Sequence, residues 1–292
     1  PKMQPIEAVL GWPNWVPDKK IRRQEFVCFK DAYIGNSKAH TWYQYGYWEP
    51  QGPLPHISAN GTKIRKICAK VLQRLNFDLW NPQCLNKIIS KWSVNTENGP
   101  ESGMKIAIFS RKLNRLILNE AELARKLTLN YGLHVVFLRM EEMCLDEIVQ
   151  HLRSAALAFG MHGSLLALAI FMPPGSVLIE GFPYGVPAEN YTPYRTLCNL
   201  PGMIITYRSW TCKNPNDSIG YPDRPPSKGG IRHLDEEQQM AILQSTTIRP
   251  HLCCSDPHWL YRIYQDTRVN VDEVSALFKE AIKEAYQKIR NN

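Results

Sequence analysis

Residues 104–180 alternate between short apolar runs and segments with the apolar spacing of a helix. The apolar runs are continuous, as expected for strands buried on both sides of a parallel sheet. They occupy residues 104–109, 133–138, 155–160 and 176–180. Helices are predicted between them, over 143–153, over 164–171, and from Asn119, which forms a capping-box pattern with Glu122, to Gly132. This alternation predicts an α/β fold whose parallel sheet is covered by helices on both faces.

The flanking segments are less regular. Predicted there are short strands at 26–34 and 41–48, a helix at 60–76, a linker at 78–103, a loose region at 190–250 and a terminal helix at 270–290.

The composition limits the classes of partner. A net charge of +8 suits a phosphorylated or polyanionic ligand. Basic and acidic residues are interleaved almost everywhere, so a few local arginines facing a phosphate are favoured over a nucleic-acid surface. The eight cysteines form no Cys-x-x-Cys pairs with histidine partners, and no zinc site is predicted. No run of about 20 apolar residues is present, so no segment of these 292 residues is predicted to span a membrane.

Polar residues follow three of the predicted strands, and ligands of open α/β sheets bind at the carboxyl ends of strands. Ser110, Arg111, Arg115 and Asn119 follow the first strand. Because guanidinium groups match phosphate oxygens in a bidentate way, this loop is predicted to bind a diphosphate. The alternatives are that the two arginines are solvated loop charges and that Asn119 only caps the next helix.

The other two segments carry a helix start and a carboxylate. His162 and Gly163 follow the third strand and open a helix, where backbone N–H groups attract anions and glycine permits close approach. Glu180 is predicted to end the fourth strand, a position suited to a ribose diol. The alternatives are a packing or capping role for His162 and a structural salt bridge for Glu180.

Three common motifs are absent from the sequence. No Gly-x-Gly-x-x-Gly follows a predicted strand, no Walker loop is present, and no Gly-x-Ser-x-Gly elbow occurs. These absences argue against a dehydrogenase, a P-loop NTPase and an α/β-hydrolase. No Asp-x-Asp motif occurs either, so no metal ligand is predicted and a divalent cation is left open.

Three stretches together resemble glycosyltransferase family 61. They are Phe109-Ser-Arg-x-x-Asn-Arg115-Leu-Ile-Leu-Asn-Glu-Ala-Glu-Leu123, Met161-His-Gly163 and Glu180-x-Phe-Pro183. The resemblance covers about residues 26 to 270 and implies a GT-B-like architecture of two Rossmann-like halves. Residues 1–55 would then end the acceptor-side α/β domain, 56–268 would form the nucleotide-sugar-binding domain, and 269–292 would be a C-terminal helix.

The resemblance also implies an activity and residue roles. GlcNAc would move from UDP-GlcNAc, with inversion, to O-linked mannose on a protein such as α-dystroglycan, through a β-1,4 linkage. Ser110, Arg111 and Arg115 would face the UDP diphosphate, His162 and Gly163 would line the nucleotide pocket, and Glu180 would face the ribose. No catalytic base is assigned, because the base is expected in the acceptor half.

Location and alternatives follow from the same resemblance. It implies a protein of the endoplasmic reticulum membrane facing the lumen, held by an N-terminal anchor that precedes these residues, and leaves a homodimer open. The sequons at Asn60, Asn190 and Asn216 agree with this location. The alternatives are another family 61 transferase, acting by O-GlcNAc or xylosyl transfer, or a non-catalytic glycan-binding domain that uses the aromatic residues 42–47. No nucleic-acid partner is expected.

Overall fold

Five parallel strands form the central sheet in the computed structural model, which describes residues 60–77 and 104–290 apart from 251, 253 and 254. The strands are β1 Lys105–Phe109, β2 His134–Leu138, β3 Ala155–Met161, β4 Val177–Phe182 and β5 Thr206–Thr211. Their order across the sheet is β2-β1-β3-β4-β5. The α/β fold with a Rossmann-like parallel sheet is therefore confirmed. The predicted strands at 26–34 and 41–48, the linker at 78–103 and the acceptor-side segment 1–55 lie outside the described residues.

Helices connect and cover these strands. The α-helices are α1 Gly61–Arg74, α2 Glu120–Tyr131, α3 Leu145–Leu152, α4 Pro193–Cys198, α5 Glu236–Gln244, α6 Pro257–Ile263 and α7 Val271–Arg290. A 3-10 helix spans Ser164–Phe171, where the sequence predicts a short apolar helix, and ends just before Pro173-Pro174. A short antiparallel ribbon joins β6 Ser218–Ile219 to β7 Asp266–Thr267.

The sheet has an apolar core on each face. Ala107 and Phe109 of β1 face α1, α3, α4 and the 3-10 helix, whereas Ile106 and Ile108 face α2 and α7. This alternation follows from the two-residue period of a strand and explains why the strands read as continuous apolar runs. The terminal helix α7 therefore belongs to the packing of the sheet domain, although the sequence set it apart as a separate unit.

The loose region at 190–250 contains a strand that the sequence did not predict. Strand β5 reads Thr-Tyr-Arg-Ser-Trp-Thr and lies at the edge of the sheet beside β4. Arg208 and Ser209 are only partly buried, so the strand lacks the continuous apolar run that identified the others. Trp210 instead donates from Nε1 to Glu273 of α7 at 2.7 Å, which helps to join the edge strand to the terminal helix.

Arg65 fastens α1 to the rest of the domain. Its side chain is buried, and its guanidinium nitrogens donate to the backbone carbonyls of Met203 (Nε at 3.0 Å), Ile170 (Nη1 at 3.3 Å) and Met172. Burial lowers the pKa of Arg65 to about 10, so the group stays cationic at neutral pH.

Of the helices in the described part of the chain, none has an apolar stretch of membrane-spanning length.

Replacing Arg65 tests this fastening. We expect Arg65→Met to lower the free energy of unfolding by about 2–4 kcal/mol, because buried carbonyl groups lose a charged donor. Lys66→Met is the matched control, since Lys66 is the exposed neighbour on the same helix, and it should change stability by less than about 0.5 kcal/mol. Chemical denaturation measures both. Equal, small effects of the two substitutions would contradict the role of Arg65.

Candidate anion-binding site at the carboxyl edge of the sheet

The strand order creates a crevice between β1 and β3. The chain moves outward from β1 to β2 on one side and from β3 through β4 to β5 on the other. The connections that leave β1 and β3 therefore diverge, and such a switch point is where open α/β sheets bind ligands. The loop 110–119 and the turn at 162–163 meet there, so the structure brings most of the sequence-predicted site residues to one place.

Arg111 and Arg115 both lie against Gly163, which precedes the 3-10 helix. A Cβ atom added to Gly163 would overlap Nη2 of Arg111 and Nη1 of Arg115. Glycine is therefore required for the two guanidinium groups to approach the start of this helix. The position combines two cations with a helix N-terminus, and both attract anions.

Arg111 has an unused donor in this crevice. Its Nη2 is buried and has no hydrogen-bond partner among the described residues. Burial, and then the positive charge of Arg115, lower the pKa of Arg111 to about 10, while the field of Glu141 offsets part of this. A phosphate oxygen would give Nη2 an acceptor and would reduce the repulsion between the two cations.

Arg115 is aimed by an uncommon backbone conformation. Its φ of 56° lies in the left-handed region, which costs a non-glycine residue about 1 kcal/mol or more. In this conformation Nη1 donates to the carbonyl oxygen of His162 at 2.8 Å, and the guanidinium lies 4.9 Å from the centre of the Tyr264 ring. The contacts of the folded protein thus hold Arg115 in place against local strain.

A segment from the end of the chain clamps the arginine loop. Asp266 is buried, and its Oδ1 accepts a hydrogen bond from the backbone N–H of Leu116 at 2.9 Å. The N–H of Thr267 donates to the carbonyl of Leu116 at 2.8 Å, and the N–H of Leu118 donates to the carbonyl of Thr267 at 2.9 Å. The backbone that carries Arg115 is therefore fixed by β7.

Asn119 completes this clamp and has no free amide for a ligand. Its Nδ2 donates to the carbonyl of Val269 at 2.9 Å, and its Oδ1 accepts from the N–H of Val269 at 2.8 Å. Nδ2 also donates to Glu122 at 3.0 Å. Asn119 occupies the N-cap position of α2, but its side chain caps no backbone N–H, so the predicted capping box is wrong. The amide pairs instead with a distant strand-like segment.

The side chain of Ser110 is also hydrogen-bonded within the protein. Its side chain is buried, and its Oγ accepts a hydrogen bond from Nε of Arg139 at 3.0 Å. Arg139, which the sequence did not single out, follows β2 and pairs with Glu120 at 3.1 Å. A direct contact between Ser110 and phosphate stays a prediction.

Glu180 lies inside β4 rather than at its end. The strand continues to Phe182, and Glu180 is paired with Gly160 and Ser209 of the neighbouring strands. The carboxylate is fully buried. Its Oε1 lies 2.5 Å from Nδ1 of His162, and its Oε2 accepts from the hydroxyl of Tyr207 at 2.5 Å. This burial gives Glu180 a positioning role and does not favour the predicted contact with a ribose.

Hydrogen bonds link Tyr207, Glu180 and His162 in a buried chain. Burial, and then the charge of Glu180, raise the pKa of Tyr207 far above its ordinary range, so the phenol keeps the proton that it donates. The other oxygen of Glu180 is joined by a hydrogen bond to Nδ1 of His162. The His162 ring stacks on Phe182, with centroids 5.1 Å apart. His162 therefore uses its backbone carbonyl, and not an exposed ring, to contact Arg115.

Tyr207, Tyr264 and Asp266 were missed by the sequence reasoning. Tyr207 lies near the start of β5, a strand that the sequence did not predict, and a rule that selects residues after the carboxyl ends of strands does not reach it. Tyr264 and Asp266 reach the site from a part of the chain about 150 residues away from Arg115, as the separation of Asp266 from Leu116 shows. Such long-range contacts leave no periodic signal in a single sequence.

Comparison with known families now places these residues. The family model described as Glycosyltransferase 61 matches residues 45–179, the segment that contains Arg111, Arg115 and Gly163. This chain carries a glycosyltransferase family 61 domain. Glu180 lies one residue beyond the matched segment, and Tyr207, Tyr264 and Asp266 follow it.

Curated relatives extend the family 61 similarity beyond that segment. Proteins named protein O-linked-mannose beta-1,4-N-acetylglucosaminyltransferase 2 are 39% identical in Xenopus laevis over 257 residues, 39% in Takifugu rubripes over 259 and 38% in Mus musculus over 257. These alignments cover 88%, 89% and 88% of this chain and 41%, 43% and 41% of the relatives. The chain thus spans about two-fifths of the length of the curated relatives that it matches.

A double-mutant cycle tests the buried chain Tyr207–Glu180–His162 behind the candidate anion-binding site. We expect Tyr207→Phe to cost about 1–3 kcal/mol of unfolding free energy, because a buried carboxylate oxygen loses its donor. Combined with Glu180→Gln, the two changes should be non-additive by at least about 1 kcal/mol. Tyr131→Phe is the control, since its hydroxyl donates to Ser275 on the other face of the sheet, and it should add to Glu180→Gln within about 0.5 kcal/mol. Additive behaviour of Tyr207 and Glu180 would show that the network does not couple them.

Proposed function

We propose that this chain forms the donor-binding part of an inverting glycosyltransferase. The enzyme would move GlcNAc from UDP-GlcNAc to O-linked mannose on a protein, through a β-1,4 linkage. The acceptor and the linkage come from the names of the curated relatives. The N-acetylglucosaminyl group in the same names and the anion-binding geometry at the switch point support the proposed donor.

One observation carries the proposal. The buried Nη2 of Arg111 has no acceptor, and it lies with Nη1 of Arg115 against the backbone of Gly163. The buried Arg65, by contrast, has backbone carbonyl acceptors at Nε, Nη1 and Nη2. A diphosphate supplies several acceptor oxygens and the opposite charge, which this arrangement lacks.

The arrangement suits the charge that develops during transfer. In an inverting transfer, the acceptor hydroxyl oxygen bonds to C1 of GlcNAc while the bond from C1 to the β-phosphate oxygen breaks. The hydroxyl proton passes to a base, and the electron pair leaves with UDP. Arg111 and Arg115 would stabilise the negative charge on the departing phosphate. No described residue is assigned as the base, since the His162 ring is buried and engaged with Glu180.

The roles of the other site residues are divided accordingly. Gly163 would let the phosphate approach the start of the 3-10 helix. His162, Glu180 and Asn119 would position the arginine loop, and Ser110 would hold Arg139. Among the described residues no group of three or more His, Cys, Asp or Glu side chains is arranged to hold a metal ion. The proposal assigns the charge stabilisation to Arg111 and Arg115, which lie together against Gly163.

The proposal includes the lumen of the endoplasmic reticulum as the location. Two of the sequon asparagines, Asn60 and Asn216, are exposed in the structure. Their exposure is compatible with glycans attached there, and the O-mannosylated acceptor named for the relatives suits the same compartment.

Nucleotide binding tests the donor site. We expect UDP to raise the melting temperature of the chain and to do so in the presence of EDTA. Arg111→Ala should weaken UDP binding about 10- to 100-fold in calorimetry, as expected for the loss of a charged hydrogen bond. Arg125→Ala, an exposed arginine on α2, is the control and should bind UDP as the unmodified chain does. If UDP leaves the melting curve of the folded chain unchanged, the donor site is refuted. If EDTA abolishes binding, a metal shares the role given to the arginines.

The transfer itself has a separate test. An O-mannosyl peptide incubated with UDP-GlcNAc and the protein should gain one GlcNAc, with release of one equivalent of UDP. Nuclear magnetic resonance of the product should show a β anomer on O4 of mannose. Glycopeptide binding without UDP release would favour the non-catalytic glycan-binding alternative, and transfer to an EGF-type domain would favour a different family 61 activity.

A further inference from the structure

Lys228 is an exposed cation near the candidate anion-binding site, and the proposed function gives it no role. Its Nζ lies 5.9 Å from the centre of the Tyr264 ring, and the guanidinium of Arg115 lies 4.9 Å from the same centre. Both charges therefore lie over one aromatic side chain. Lys228 forms no ion pair with a carboxylate of the described residues, in contrast to Arg224 of the same loop, which pairs with Asp266.

The turn that presents Lys228 has a defined shape. A 3-10 turn spans Pro226–Lys228, with the N–H groups of Lys228 and Gly230 both donating to the carbonyl of Pro225. Gly229 ends it with a φ of 87°, a left-handed conformation that glycine adopts freely. A Cβ atom on Gly229 would press on the carbonyl oxygen of Leu260 in α6. The turn is thus packed on α6, the helix that directly precedes Tyr264.

Polar contacts join this turn to the arginine loop. Arg224 donates from Nη1 to the carbonyl of Tyr264 and from Nη2 to Oδ2 of Asp266, both at 3.3 Å. The other oxygen of Asp266 accepts from the N–H of Leu116, next to Arg115. Lys228, Tyr264 and Arg115 are therefore carried by elements that one buried carboxylate connects.

We propose that Lys228 is a third cation of the donor site, which contacts the phosphates of the nucleotide sugar from the Tyr264 side while Arg111 and Arg115 contact them from the Gly163 side. The inference rests on the proposed function. An unpaired ammonium on a flexible side chain acts as a mobile point charge, whereas the two guanidinium groups are held in fixed geometry. Placing a cation near an aromatic ring and a second cation costs less when an anion binds between them.

Ligands that differ in their number of phosphates test the proposed role of Lys228. Dissociation constants of the full chain are measured by calorimetry for UDP, UMP and uridine. We expect Lys228→Met to weaken UDP binding about three- to tenfold, because the group is exposed and screened, to weaken UMP less, and to leave uridine unchanged. The loss should shrink in 0.5 M NaCl, roughly as screening of an exposed charge requires. Lys279→Met, an exposed lysine on α7, is the matched control and should bind all three ligands normally.

The outcomes separate the two proposals. If the unmodified chain and Lys279→Met do not bind UDP, the donor site itself fails. If they bind UDP, and Arg111→Ala weakens it, but Lys228→Met binds UDP normally, then the role of Lys228 is overturned while the donor site stands. An equal loss of UDP and uridine binding by a folded Lys228→Met would also overturn it, because that pattern indicates a shape change rather than a lost charge. Unchanged melting of the ligand-free variant shows that it is folded.

Discussion

Arg111 and Arg115 are held side by side on the backbone of Gly163, although their charges repel and Nη2 of Arg111 is buried. Holding two like charges together costs free energy, and the contacts around the two arginines offset part of that cost. The carbonyl of His162 and the ring of Tyr264 receive Arg115, and the β7 segment fixes the backbone between the two side chains and α2. Since the cost is met by the folded protein before any ligand arrives, an anion meets donors that are already oriented. Such preorganisation is what makes fixed charges effective in stabilising a leaving group.

Behind the arginines, a buried polar chain links three adjacent strands. Tyr207 is on β5, Glu180 on β4 and His162 directly after β3, and each donates to or accepts from the next. A buried carboxylate is costly unless it is hydrogen-bonded, and here both of its oxygens are. The carbonyl of His162 accepts a hydrogen bond from Arg115, which belongs to the loop after β1. The order of the strands therefore determines where this guanidinium group lies.

The sequence predicts the strands and loops that form this site better than it predicts the residues that hold those loops in place. Continuous apolar runs identify β1 to β4, because a strand buried on both faces must be apolar at every position. The carboxyl-end rule then selects Arg111, Arg115, His162 and Gly163 without structural information. It misplaces Glu180, because Gly181 and Phe182 extend the strand and carry the carboxylate inside it. It cannot find Tyr264 or Asp266, whose contacts depend on how the end of the chain returns to the loop after β1.

The arginines of the family-matched segment depend on residues that lie outside that segment. The segment matched by the family model contains the arginines and the glycine, but the groups that aim them lie after residue 179. Asp266 secures the loop next to Arg115, and Tyr264 receives the guanidinium. Without such contacts the left-handed backbone of Arg115 would be disfavoured, because that conformation costs a non-glycine residue about 1 kcal/mol or more. A chain with the same Ser-Arg-x-x-Asn-Arg sequence but without these later residues would therefore present its second arginine differently, so the position of this arginine depends on the segment 264–267 as well as on the motif.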